Sequence, residues 1–256
     1  YYRHVSCEKY PFSDKKNIDF LCKIYGLSLL KIDLICNEQV DWEGIFFYKK
    51  GGKGIHIFSG GRFGYGGFFP IQNLLPISSY IDTIEEQLLS LDIATCSLAG
   101  FFLANNANEK SSSTWIQTDI CYLVAKTDDC VNSDGLCFHK AKIRSNLSRN
   151  LKKAKEANYF CKLAESEKEI KAWYTDCHIA RIDELDGCKW DYETIEGLIE
   201  RGTGKLVIAV NEQEEILGGC IMLISDQILE LFMMSTPLEH LKLGINYVIT
   251  EWLYLF

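Results

Sequence analysis

Ile18, Leu21, Cys22 and Tyr25 recur at helical spacing, so Lys15–Tyr25 is predicted to be an amphipathic helix that Gly26 stops. Three strand-like runs follow, Ser28–Cys36, Trp42–Tyr48 and Gly54–Phe58, broken at Asn37-Glu38 and at Gly51-Gly52. After the glycine-rich stretch Gly60–Gly67, Ser79–Leu91 reads as a helix and Ile93–Leu98 as a buried strand. Asn105–Ser113 is polar and reads as a mobile loop, and Trp115–Ala125 returns to strand. The polar run Lys126–Gly135 breaks the pattern and is read as the connection between two halves.

The second half opens with a helix from about Lys140 to Ala157, whose apolar stripe is Ile143, Leu147, Leu151 and Ala154. Ser166 and Glu169 form a capping-box pattern before a helix with Ile170, Trp173, Tyr174 and Cys177 on its buried side. Asp191–Glu200 is a third helix, ended by Gly202 and Gly204. The strands Lys205–Val210, Ile216–Ile224 and Gln227–Met234 come next, joined by turns at Asn211–Glu215 and Ser225-Asp226. Ser235–Gly244 is a loop, and Ile245–Phe256 a helix. Each half runs from helices to antiparallel-looking strands to another helix, which predicts an α+β (mixed α/β) protein of two related modules. Their expected limits are 1–138 and 139–256, with the C-terminal end incomplete.

Composition narrows this picture. A chain of 256 residues, 47% hydrophobic and 24% charged, can bury a substantial core. The net charge of -8 argues against nonspecific nucleic-acid binding by the whole surface, while leaving room for a local basic patch. The 11 cysteines are scattered without a CxxC pair, which points to a reducing, cytoplasmic setting where most serve as small core residues. No apolar run is long enough to span a bilayer. The five histidines show no metal-ligand spacing, so no metal is expected.

Four places could carry chemistry. Ser235-Thr236-Pro237 leads through Lys242, Gly244 and Asn246 into a helix whose N-terminus would offer free N–H groups to an anion; the plain alternative is a loop before a core helix. Lys140, Lys142, Arg144, Arg149, Lys152, Lys153 and Lys155 share a helix without an acid among them, a face for phosphates or simply a solvated one. Tyr65, Gly66 and Gly67 either line a substrate or form a connecting turn; their order fits neither a dinucleotide fingerprint nor a P-loop. Glu230 is placed by strand alternation on one face with Ile228, Phe232 and Met234, where apolar neighbours would raise its pKa and suit it to general-base work; the alternative is an edge residue reaching water.

Four stretches together resemble the FemABX family and related GNAT domains. Arg62–Gly67 is similar to the family's aromatic-Gly-Gly segment, and Lys142–Ala154 to its basic inter-domain helix. Lys205–Val210 with Ile216–Ile221, including Gly218-Gly219, resembles the paired central strands, and Leu243–Leu253 the donor-side helix. The resemblance implies two tandem GNAT-like domains, each a mostly antiparallel mixed sheet flanked by helices, with a cleft between them. It implies an N-acyltransferase, with acyl-CoA (acetyl-CoA) as co-substrate or, as the alternative, aminoacyl-tRNA. The acceptor it implies is an amine of a cell-envelope precursor or amino sugar, small or nucleotide-linked. By position, Arg144, Arg149 and Lys152 would meet phosphates, and Ser235, Thr236, Lys242, Gly244 and Asn246 would surround the donor. Backbone N–H groups at split strands would stabilise the oxyanion, with Glu230 or water as base. No long helical hairpin is visible between Ala157 and Lys205, which moves the expectation from tRNA toward acyl-CoA. Two readings from other classes remain: a binding module that kept the fold without catalysis, and an RNA-binding protein using the basic helix.

Overall fold

The computed structural model describes residues 14–58, 67–72, 74–89, 91, 93–97, 131–132, 135–136, 141–225 and 228–255. The Gly60–Gly66 stretch with Tyr65 and Gly66, the polar run Asn105–Ser113, and the strand expected at Trp115–Ala125 lie outside these residues. The chain divides into two compact units, Tyr1–Tyr122 and Leu123–Phe256.

In the first unit, helix α1 (Lys15–Tyr25) starts at Asp14, whose carboxylate accepts from the Lys16 N–H, and stops at Gly26 with φ of 59°. Strands β1 (Ser28–Cys36) and β2 (Gln39–Gly51) form a tight hairpin. Its two turn residues, Asn37 and Glu38, both have positive φ, 49° and 65°, as the right-handed twist of a two-residue hairpin requires. One edge of β2 pairs with β1; the other is shared by β3 (Gly54–Phe58) and β4 (Gly67–Pro70), both antiparallel to it. After a 3-10 turn at Ile77–Tyr80 and helix α2 (Ile81–Leu89), strand β5 (Ile93–Ser97) joins β3 in parallel. Trp42, Phe46, Ile57 and Phe68 pack against Ile84 and Leu88 of α2 to form this unit's core.

The second unit begins with the short ladder of β6 (Val131–Asn132) and β7 (Gly135–Leu136), then helix α3 (Ala141–Glu156) and strand β8 (Phe160–Leu163). A continuous helical stretch follows, α4 (Glu167–Ala172), a π-helical turn (Trp173–Ile179) and α5 (Ala180–Glu184), and then α6 (Tyr192–Glu200). Strands β9 (Gly204–Val210), β10 (Ile216–Ser225) and β11 (Ile228–Ser235) complete an antiparallel sheet in the order β8-β9-β10-β11. Helices α7 (Leu238–Leu241) and α8 (Ile245–Leu255) close the chain. Val207, Ala209, Cys220 and Met222 face Ile245, Ile249 and Leu253 of α8, and Leu147 and Leu151 of α3 pack on Val248 beside them. On the other face, Trp173 of the π turn and Ile195 and Leu198 of α6 are fully buried. The sheet is therefore a middle layer between two helical ones. The protein is α+β, with mostly antiparallel sheets flanked by helices.

The β10–β11 ladder corrects one expectation from alternation. Ile221 is paired with Met233 and Met222 with Leu231, so Phe232 is an extra residue bulged out of register. The bulge reverses which face each later residue meets. Met234 packs with the α8-side core, whereas Glu230, opposite Leu223, lies on the other face of the sheet. Glu230 therefore does not share a face with Met234. A second shift at Leu217 separates the pairs Ile216↔Val210 and Gly218↔Ala209.

Candidate functional site

The expected donor-side residues gather where β11 ends. Ser235 and Thr236 are both 2% exposed, and their hydroxyls are engaged inward. Thr236 donates to Asn246 Oδ1 at 2.6 Å, tying the end of β11 to the first turn of α8. Gly218 lies beneath this contact: a Cβ there would collide with Thr236 Oγ1 and come within 3.0 Å of Ile245. Gly244 has φ of 83°, and a Cβ on it would stand 3.1 Å from the Asn150 carbonyl, so glycine is required for the turn into α8 to meet α3. Lys242 is exposed in that turn. The first N–H groups of α8 lie here, the usual end of a helix for holding negative charge. His240 donates from Nδ1 to the Leu217 carbonyl at 2.8 Å; since a carbonyl only accepts, the proton is on Nδ1. Ser235, Thr236, Gly244 and Asn246 are thus one local assembly, with Lys242 at its rim.

Among the described residues, the split strands expected beside it are not seen. β10 and β11 stay paired from Ser225↔Ile228 to Gly219↔Ser235, across the bulge at Phe232. Glu230 lies five residues before Ser235 on β11, roughly 15 Å away at strand spacing. Gly67 is in β4, where its backbone pairs with Ile45 of β2.

On the basic helix α3, Leu147, Leu151 and Ala154 are buried as expected. Arg149 and Lys152 are exposed, and Lys152 makes a loose 3.8 Å pair with Glu156. Lys155 reaches Glu251 of α8 at 3.2 Å, so that cation braces two helices. The backbone of Arg144 lies in the helix; its side chain is outside the described residues.

A residue that sequence reasoning assigned no role lies against this assembly. His178 is fully buried, and its Nδ1 is 3.0 Å from Ser235 Oγ. Its ring stacks on Trp173 (centroids 5.7 Å, 25° between planes) and is flanked by Tyr174 at 5.6 Å. In an α-helix, residues 173 and 178 would point roughly 140° apart. The π turn, with its i→i+5 bonding, brings both to the sheet. Trp173 can approach because Gly219 has no side chain: a Cβ there would lie 2.6 Å from Trp173 Nε1. Gly219 is also the cross-strand partner of Ser235, so Trp173 and His178 cover one pair of sheet positions. Burial pushes the His178 imidazole down to about 4, so the ring is neutral at physiological pH. Among the described residues, neither His178 Nε2 nor Trp173 Nε1 has a hydrogen-bond partner.

The thiols near this layer are inert. Burial pushes Cys177 and Cys220 each up to about 12, and Cys177 donates weakly to the Ile216 carbonyl at 3.7 Å. Among the described residues, no helix is long and apolar enough to cross a membrane.

No family model matches the sequence, and no curated protein does. Solved structures match it in shape. L-PGS from Bacillus licheniformis aligns with a TM-score of 0.49 and 9% identity, over 94% of this chain and 71% of that one. A crystal structure of FemX aligns with a TM-score of 0.57 and 10% identity, over 99% of this chain and 84% of that one. At that identity the likeness is one of backbone architecture, and on that ground the chain has a FemX-like fold.

Proposed function

We propose that the chain is an N-acyltransferase that moves an acyl group from acyl-CoA to an amine of a cell-envelope precursor or amino sugar in the cytoplasm. On this reading it is a pair of GNAT-like domains, 1–138 and 139–256, with the donor held at the junction of β11 and α8. The observation that carries the proposal is that junction, set in a fold shared with FemX. Ser235, Thr236, Gly244 and Asn246 build a fixed turn into a helix N-terminus, with Lys242 exposed beside it. Such a turn can hold a donor phosphate and, with its N–H groups, the oxygen of a tetrahedral intermediate.

The neutral acceptor amine attacks the thioester carbonyl, the carbon–sulfur bond breaks, and CoA leaves as the thiol. The amine's surplus proton passes through water to the departing sulfur, which completes the thiol, since Glu230 is too far along β11 to take it directly at Ser235. Arg144, Arg149 and Lys152 are assigned to phosphates of the acceptor. Residues 157–205 favour acyl-CoA over aminoacyl-tRNA: their helices bury Trp173, Ile195 and Leu198 and lie on the sheet, without an added helical arm.

Thermal-shift measurements with acetyl-CoA, CoA and charged tRNA test the reading. Saturating acetyl-CoA at about 100 times its Kd should contribute about 2.7 kcal/mol to the native state. Lys242→Ala should reduce that shift. A shift with charged tRNA alone would replace the donor, and no shift with any donor would overturn the enzyme reading.

A further inference from the structure

His178 is an uneconomical residue for a core. A phenylalanine could stack on Trp173 in the same space without burying a ring nitrogen that lacks a partner among the described residues. The helix must also widen into a π turn at Trp173–Ile179 to bring this ring to the sheet. Such turns are rare within helices and recur at functional sites. What the arrangement provides is one contact, from His178 Nδ1 to Ser235 Oγ at 3.0 Å. Ser235 is the last residue of β11, and the next residue, Thr236, makes the bond to Asn246 at the start of α8. Among the described residues, the neighbouring groups leave the ring no other polar partner. The Tyr174 hydroxyl donates to the Trp190 carbonyl, Cys177 turns to Ile216, and Gly219 offers only backbone.

We propose that His178 is a positioning residue: through Ser235 it fixes the end of β11 and so the geometry of the turn into α8. The functional part of this inference rests on reading that turn as the donor site. The structural part stands by itself, since it concerns only what holds Ser235 in place. A histidine whose role was packing would act on the whole unit; one that holds Ser235 acts on the junction.

The test uses the full chain with His178→Phe, Ser235→Ala, the double variant, and His178→Asn, whose amide can reach the position of Nδ1. Amide hydrogen exchange across 235–246 and the melting temperature are read together, alongside calorimetric titration with CoA. In His178→Phe, exchange at the junction should rise by about tenfold or more while the melting temperature holds or increases. Ser235→Ala should reproduce the local loosening, the double variant should add nothing further, and His178→Asn should restore part of the protection. CoA affinity should fall about tenfold in the loosened variants. Junction exchange unchanged in both single variants, or rising only in step with a lower melting temperature, overturns the proposal. If His178→Phe does not fold, Ser235→Ala decides the same question. Absence of CoA binding in the wild-type chain would sink the donor reading and the functional part with it, and the exchange data would still judge the hold on Ser235. CoA binding that the variants leave intact would sink the positioning role alone.

Discussion

Asp41 and His178 are both buried polar residues, one in each unit, and the chain treats them in opposite ways. Both Asp41 carboxylate oxygens are engaged: Oδ1 accepts from the Leu74 N–H at 2.6 Å, and Oδ2 from the Leu75 N–H at 3.0 Å and the Tyr80 hydroxyl at 2.7 Å. Its backbone carbonyl takes two more bonds, from the Ile71 and Gln72 N–H groups, and Trp42 beside it donates to the Leu75 carbonyl. Asp41 thus stitches the segment before α2 onto β2, and burial together with the carboxylate pushes the Tyr80 hydroxyl well above its ordinary value. Among the described residues, His178 keeps one bond and its other nitrogen has no partner. Satisfied burial marks the scaffold, and half-satisfied burial marks the place where a residue is kept for what it touches.

The widest separation should come from Asp41→Ala, which strands two backbone donors and a buried hydroxyl. A loss of about 3 to 5 kcal/mol is expected in urea unfolding followed by tryptophan fluorescence. A cost under about 1 kcal/mol would erase the contrast between the two units. Acid should act next, and on His178. Unfolded, this histidine takes up a proton near 6.5; folded, it does so only near 4. Stability is therefore complete above pH 6.5 and declines as the pH falls from 6.5 to 4, by about 3 kcal/mol in total. His178→Phe should flatten that slope. Glu169 provides an internal reference: burial pushes its carboxyl up, but bonds from the Glu165 N–H, Lys162 and Ser166 outweigh this and hold it at about 2. Its contribution is present above 4.5 and is lost as the pH falls from 4.5 to 2, mostly below the His178 window.

Gly219→Ala sharpens the comparison from the Trp173 side. The added methyl meets the indole nitrogen and the Val207 carbonyl, 2.6 and 2.7 Å from its position, and should cost about 2 kcal/mol in the same unfolding assay. Gly52→Ala is the control, because nothing lies within 4 Å of its Cβ position. The smallest effect belongs to Ser166→Ala. It removes the hydroxyl that accepts from the Glu169 N–H at 3.2 Å and should cost about 1 kcal/mol, read as a modest drop in melting temperature.

Local chemistry explains what was legible beforehand. Lys15–Tyr25, Ser28–Cys36 and Gly54–Phe58 begin and end where spacing and turn residues place them, and the Ser166–Glu169 capping box forms as its pattern predicts. Features set by distant partners were not legible. β2 begins at Gln39 rather than Trp42 because the tight turn carries the ladder back to Cys36. The bulge at Phe232 depends on the register of β10, and Phe232 meets Trp190, far away in sequence, edge-on at 4.9 Å. At the junction, the Ser-Thr-Pro loop and the glycine before α8 were visible as a unit. His178 was not, because it reaches Ser235 across 57 residues. Only the width of the π turn puts it on the face that Trp173 occupies. The tight grouping of large rings at 173, 174 and 178 with Cys177 was the available signal, and α-helical spacing divides it between two faces.

The adjacent glycines of β10 thin the sheet at one place. Gly218 admits Thr236 from the α8 side and Gly219 admits Trp173 from the π-turn side, so a single peptide unit separates the two helical layers. Elsewhere in the strand, side chains as large as Met222 and Leu223 hold those layers apart. Between the indole and the threonine, β10 places backbone and no side chain.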